Sequence, residues 1–304
     1  VKFPEKTVGK VDRTKKYIVT KATDGQLEIK KREVTLTSAS DEKVYDGTPL
    51  TNGNVTVTGD GFATGEGATY DVTGTITNIG EVDNTFTYTL NANTKADNYT
   101  IAPEYGTLKI TAATDKVTVT ITEHNGSAKY DGTEKTVTGY DVAISNALYT
   151  ERDFEFSGDA AIKGTDAGSY DMMLKPEDFK NTNANFTNVE FVIVDGQLKI
   201  EKRTVTLMSE SGKKVYDGTP LTNDTVTVAG DGFAAGEGAA YDVTGKQTDV
   251  GKSANTFGYT LNAGTKAGNY SFKKETGTLE VTPVTDEVVV TIKGNEATYE
   301  YDAT

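Results

Sequence analysis

The sequence predicts an all-β chain, built of tandem β-sandwich repeats that are joined with little slack into an extended rod. Three observations carry that expectation. The 304 residues hold 51 threonines against 12 leucines, with 31 glycines among them. β-Branched side chains lose rotamer freedom in helices and suit a pleated surface, while glycine supplies turns. Apolar and polar residues alternate with a period of two at Val34, Leu36 and again at Val55, Val57, as in half-buried strands. The chain also repeats itself, and a fixed period marks an array.

The repeat sets the organisation. KVYDGTPLTN at 43–52 returns at 214–223, an offset of 171. The same offset carries Glu66 to Glu237, Tyr70 to Tyr241, Phe86 to Phe257, Tyr99 to Tyr270 and Leu108 to Leu279 without a gap. Residues 30–112 and 201–283 are therefore two copies of one repeat, type A. Residues 113–200 form a different repeat, type B. It shares Tyr130-Asp131-Gly132-Thr133 near its start and ends on Gly196-Gln197-Leu198-Lys199-Ile200, where type A has Gly106-Thr107-Leu108-Lys109-Ile110. Gly25-Gln26-Leu27 matches Gly196-Gln197-Leu198, so 1–29 read as the tail of an earlier B repeat. Tyr301-Asp302-Ala303-Thr304 matches Tyr130–Thr133, so 284–304 read as the head of a later one. Two periods of 171 exceed the 304 residues, and the chain reads as a window on a longer array, for which a missing signal peptide or anchor carries no information.

Within type A, strands are expected at the Val34 and Val55 alternations, near the YDGT segment, and at 69–76, 84–90, 98–102 and 106–111. That is about seven strands with the turn spacing of a sandwich. Type B reads as strands at 116–122, 134–142, 152–156, 168–174, 188–194 and 197–201, with one helical turn at 176–180. The junctions Ile110–Asp115, Val281–Asp286 and Leu198–Val205 have no Gly/Ser run, which restricts bending and leads to the rod.

Composition removes several functions. With 45 acidic and 31 basic side chains the formal charge is −14, so nucleic acid is not a partner: binding there rests on Lys and Arg displacing counterions. The chain has no cysteine, hence no disulfide, thiolate nucleophile or thiolate zinc site. No apolar stretch approaches the roughly 20 residues that cross a bilayer, so no membrane insertion is expected in this region.

The individual motifs read mainly as structure. Tyr-Asp-Gly-Thr occurs at 45–48, 130–133 and 216–219, and its Asp-Gly suits a turn beside a packed tyrosine. Gly59–Gly67 lacks the Lys-Ser/Thr of a phosphate loop and reads as a long hairpin loop. His124, before Asn125-Gly126, reads as an exposed residue of a hairpin turn, and with no second histidine it builds no metal site. Asn91–Asn98 offers oxygen ligands but not the acidic ladder of an EF-hand, so solvated turn residues are expected rather than calcium. No catalytic, cofactor-binding or metal residue is expected, and the chain is read as no enzyme.

The YDGTPLT segment, the GDGF…GEGATYDV run and the closing pattern Ala267-Gly268-Asn269-Tyr270…Gly277-Thr278-Leu279-Glu280-Val281 resemble the MBG, or YDG-type, repeats, which are mostly bacterial Ig-like modules. The resemblance covers both A repeats well and the B repeat mainly at its two ends. It implies Ig-like sandwiches in a secreted, cell-wall-anchored parent protein of a Gram-positive surface, acting as stalk, spacer or adhesin. The rival reading is a binding module, in which repeats themselves engage a host or community glycoprotein, glycan or immunoglobulin weakly and gain avidity from repetition. Cysteine-free sandwiches of such proteins often carry a Lys-to-Asn isopeptide cross-link assisted by an acid. Lys31, Glu66 and Asn98, repeated as Lys202, Glu237 and Asn269, are the candidates for it. Finally, the ends at 1–29 and 284–304 are expected to present unpaired strands that meet head to tail between copies.

Overall fold

The computed structural model describes residues 25–303. Backbone contacts divide the chain into two compact units, Val1–Ala113 and Thr114–Thr304. The first A repeat stands in one; the B repeat and the second A repeat share the other.

In the first unit the strands are β1 (Arg32–Ser38), β2 (Asp41–Val44), β3 (Val55–Gly59), β4 (Ala68–Val72), β5 (Gly80–Asp83), β6 (Phe86–Leu90), β7 (Tyr99–Glu104) and β8 (Thr107–Thr111). They make three small sheets. β1 lies between antiparallel β3 and parallel β7. β8 lies between parallel β2 and antiparallel β5. β4 and β6 pair with each other. Alternation in β1 turns Val34, Leu36 and Ser38 to the buried side. Val34, Leu36, Phe86 and Tyr99 form one apolar cluster; Leu50, Leu108 and Ile110 form a second. The YDGT segment is not a strand. It is a bend after β2, with Gly47 at φ 79, a left-handed conformation that glycine adopts without steric cost.

The second unit opens with the B repeat: β9 (Val117–Glu123), β10 (Gly126–Lys129), β11 (Lys135–Thr138), β12 (Tyr140–Ile144), β13 (Phe154–Phe156), β14 (Ala161–Gly164), β15 (Gly168–Asp171), β16 (Phe179–Asn181), β17 (Val189–Val194) and β18 (Gln197–Glu201). β9 takes the place of β1, between antiparallel β12 and parallel β17. β18 takes the place of β8, between parallel β10 and antiparallel β15. β13 pairs with β16. β11 and β14 form a ladder where the A repeats have only the single bridges Leu50–Ile76 and Leu221–Gln247. Type B is therefore type A in topology with one pairing lengthened. The expected strand at 134–142 is split by Gly139, at φ 88, and the expected turn at 176–180 is a 3-10 turn over Pro176–Asp178.

The second A repeat supplies β19 (Arg203–Ser209), β20 (Gly212–Val215), β21 (Val226–Gly230), β22 (Ala239–Val243), β23 (Gly251–Ala254), β24 (Phe257–Leu261), β25 (Tyr270–Glu275) and β26 (Thr278–Thr282). Its three sheets keep the pairings of the first A repeat.

Three expectations are corrected. The 59–67 segment is no hairpin loop, because β3 pairs with β1 while β4 pairs with β6; the segment crosses between sheets. His124-Asn125 likewise carries the chain from β9 in one sheet to β10 in another. Residues 284–303 contain no strand. The equivalent strand β9 sits between two partners within its repeat, and a lone segment without them has no ladder to complete. Residues 25–29 likewise contain no strand, and the rest of the expected tail, 1–24, lies outside the described residues, as does Thr304.

Candidate functional site

Each YDGT bend is closed in the same way. In the B repeat Asp131 Oδ1 accepts from the Thr133 N–H at 2.9 Å and from its hydroxyl at 2.7 Å, while Lys135 Nζ reaches Asp131 Oδ2 at 2.6 Å. Lys43 with Asp46 and Lys214 with Asp217, both at 2.7 Å, do the same in the A repeats. The facing ammonium, then the threonine donors, hold the Asp131 carboxyl well below its ordinary range. Gly132, at φ 83, completes the bend. The consequence is that the tyrosine preceding the aspartate is held at the edge of its repeat with its backbone fixed: Tyr130 N–H donates to Glu201 O at 2.9 Å.

In the second unit Tyr130 reaches the second A repeat. Its hydroxyl donates to Glu237 Oε1, and Tyr270 donates to Glu237 Oε2 at 2.8 Å. The two tyrosine rings meet edge to face, 5.7 Å apart at 84°. Tyr130 is 4% exposed, whereas the equivalent Tyr216 is 41% exposed. Burial first, then the Glu237 hydrogen bond, pushes the Tyr130 hydroxyl up to about 12. Around this centre lie further links between the two repeats. Lys266 Nζ pairs with Asp166 Oδ2 at 2.7 Å. Asn269 Nδ2 donates to Asp166 Oδ1 at 3.0 Å, and its Oδ1 accepts from Ala167 N–H at 2.7 Å. Lys129 Nζ pairs with Asp231 Oδ1 at 2.6 Å. Arg203, held within its own repeat by Gly232 O at 2.8 Å, donates across to Tyr130 O at 3.3 Å. The acidic partners Asp166 and Asp231 are both shifted down, each chiefly by its lysine.

The receiving surface is residues 230–238, the counterpart in the second A repeat of the glycine-rich Gly59–Gly67 segment that sequence reading weighed as a phosphate loop. Gly230, Gly232 and Gly236 all have positive φ, which lets the segment turn under the YDGT bend. Ala234 N–H donates to the Tyr270 hydroxyl at 3.0 Å, so that hydroxyl is oriented toward Glu237. The Asn91–Asn98 segment of the first A repeat is anchored through Thr94, whose Oγ1 accepts from Gly67 N–H at 2.8 Å, and its other residues are exposed. Among the described residues no three His, Cys, Asp or Glu side chains gather as a metal site.

Of the residues named for a cross-link, the structure brings Glu237 and Asn269 into the latch through Tyr130 and Asp166. Glu66 accepts from Tyr99 at 2.5 Å, and Asn98 is exposed. Lys31 and Lys202 are exposed just before β1 and β19, and neither makes a hydrogen bond or ion pair among the described residues. Sequence reading missed Lys129, Asp166, Arg203 and Asp231. Only Asp231 and Arg203 had a signal, in their identical counterparts Asp60 and Arg32. His124 is half-buried, with Nδ1 at 2.8 Å from Thr138 O and Nε2 at 3.3 Å from Asp141 Oδ1, which shift its pKa up.

A chain of small β-sheets repeated along the sequence, with one repeat latched on the next by side chains, belongs to the class of β-rich repeat modules. The MBG domain family model matches residues 116–202. The match thus falls on the B repeat, where motif resemblance was expected mainly at the ends. No curated protein matches the sequence. Among solved structures, the I9-I11 tandem of titin is similar at 11% identity with a TM-score of 0.17, covering 84% of this chain and 98% of the titin chain. Among the described residues no helix is long and apolar enough to cross a membrane.

Proposed function

We propose that this region is a non-catalytic repeat segment of a bacterial cell-surface protein, serving as a stalk or spacer or as part of an adhesin. The observation that carries the reading is the B-to-A latch: successive repeats share buried side chains, so one repeat's orientation is passed to its neighbour. The MBG match at 116–202 supports the surface setting, and the net charge of −14 keeps neighbouring molecules apart. An antibody raised against the purified region should label intact cells of the source organism and lose its target after brief external proteolysis. Labelling only after lysis would contradict the surface role.

A second reading, binding to a host or community glycoprotein, glycan or immunoglobulin, is favoured by one recurrent feature. Tyr88 and Tyr259 occupy equivalent positions on β6 and β24, and both are partly exposed, at 36% and 37%. Repetition of a weak contact would give avidity. Capture of mucins or serum proteins that falls when Tyr88 and Tyr259 are both changed to Ser would support it; capture unaffected by the change would exclude these residues.

A further inference from the structure

The first A repeat carries the face that the second uses to receive the B repeat. Asp60, Glu66, Lys95, Asn98 and Tyr99 stand where Asp231, Glu237, Lys266, Asn269 and Tyr270 stand. Its internal bonds are already made: Tyr99 donates to Glu66 Oε2 at 2.5 Å, and Ala63 N–H donates to the Tyr99 hydroxyl at 3.0 Å. Burial pattern distinguishes the two faces. Asn269 and Ala234 are buried and Asp231 and Arg203 half-buried, whereas Asn98, Asp60 and Arg32 are exposed and Ala63 is half-buried. The side chains of Lys95 and Asn98 make no hydrogen bond or ion pair among the described residues.

A second observation indicates the occupant. Gly25-Gln26-Leu27-Glu28-Ile29 parallels Gly196-Gln197-Leu198-Lys199-Ile200, the last strand of the B repeat. Leu198 and Ile200 are each 2% exposed in that repeat's core, but Leu27 and Ile29 are 72% and 82% exposed. The segment leading into the first A repeat has the sequence of a B repeat's final strand, and among the described residues no sheet covers it.

We infer that the open face of the first A repeat is a docking site for a type B repeat placed before it. Recognition runs through a tyrosine hydroxyl donated to Glu66, a carboxylate shared by Lys95 and Asn98, and a lysine on Asp60. The inference uses the repeat architecture and is independent of the surface role, so a negative cell-labelling result leaves it standing.

Because the chain contains no cysteine, Ala63→Cys and Ala234→Cys each place one thiol on the two faces. In the present chain the thiol at 234 should react with a maleimide at least about tenfold more slowly than the thiol at 63, since reaction at a covered site waits for local opening. In a chain whose residues 1–29 are replaced by a copy of 113–200, the thiol at 63 should slow to match. Lys95→Glu in that extended chain should restore fast reaction, because it turns the ion pair into a repulsion. Fast reaction at 63 in both chains would overturn the inference. Protection at 63 in the unextended chain that grows with protein concentration would overturn it too, by assigning the face to a second copy.

Discussion

At the scale of single residues, buried polar groups that hydrogen-bond to backbone organise each repeat. In the A repeats Ser38 Oγ donates to Asn84 O at 2.6 Å and accepts from Gly106 N–H at 2.9 Å, and Ser209 repeats the arrangement with Asn255 and Gly277. The B repeat places Glu123 at the corresponding position of β9. Its carboxylate, 1% exposed, accepts from Leu174 N–H at 2.8 Å and Gly196 N–H at 2.7 Å. The turn so pinned includes Met173, held at φ 65, where a β-carbon is unfavourable. Glu123→Ala would strand two buried donors, and a loss of about 2–5 kcal/mol in urea unfolding is expected. Tyr130 makes a pH prediction. Its folded pKa is raised from 10.0 to about 12, so the folded state holds the proton more tightly. The stability it contributes is fully present below pH 10 and lost as pH rises through about 12. Unfolding midpoints of wild type and Tyr130→Phe, compared at pH 9 and above 12, should converge at the alkaline end.

At the scale of elements, the sequence made strands legible where alternation was strict and ran over seven residues. β1, β9 and β19 are such strands, and each is central to a three-stranded sheet. Pairing was not legible. Asn125-Gly126 is a strong local signal for a hairpin, yet the strands it joins belong to different sheets, because β9 finds its partners in β12 and β17 far along the chain. The YDGT motif was legible as a bend, and its tyrosine is packed at Tyr45 and Tyr130 but exposed at Tyr216. What that tyrosine packs on was hidden, since Tyr130 and Glu237 lie 107 residues apart. Close approach of elements also explains particular glycines. A β-carbon on Gly245 would lie 2.3 Å from Asn255 Oδ1 and 2.5 Å from its Cα. Gly245→Ala must therefore push apart the segment that Asn255 braces, and a loss of more than about 2 kcal/mol is expected by thermal unfolding, compared with little change for Gly268→Ala, which meets nothing within 4 Å.

At the scale of the whole molecule, the repeats of the second unit are not beads on a slack thread. Strand β18 ends at Glu201 and β19 begins at Arg203, so one residue separates them. The latch of Tyr130, Glu237, Tyr270, Asn269 and Asp166 then fixes that short joint with half-buried hydrogen bonds. Its flanking ion pairs, Lys266–Asp166 and Lys129–Asp231, are partly solvated and serve register more than strength. Both carboxyls are shifted down from 3.8, so their contribution is present above that value and is lost as the pH falls through their lower folded values. The central claim is that Tyr130 and Glu237 couple the B repeat energetically to the second A repeat. A double-mutant cycle in the full chain, with Tyr130→Phe, Glu237→Gln and the pair followed by urea unfolding of the second unit, measures that coupling directly. The account predicts an interaction energy of about 1–2 kcal/mol, while changes that add to within about 0.3 kcal/mol would contradict it.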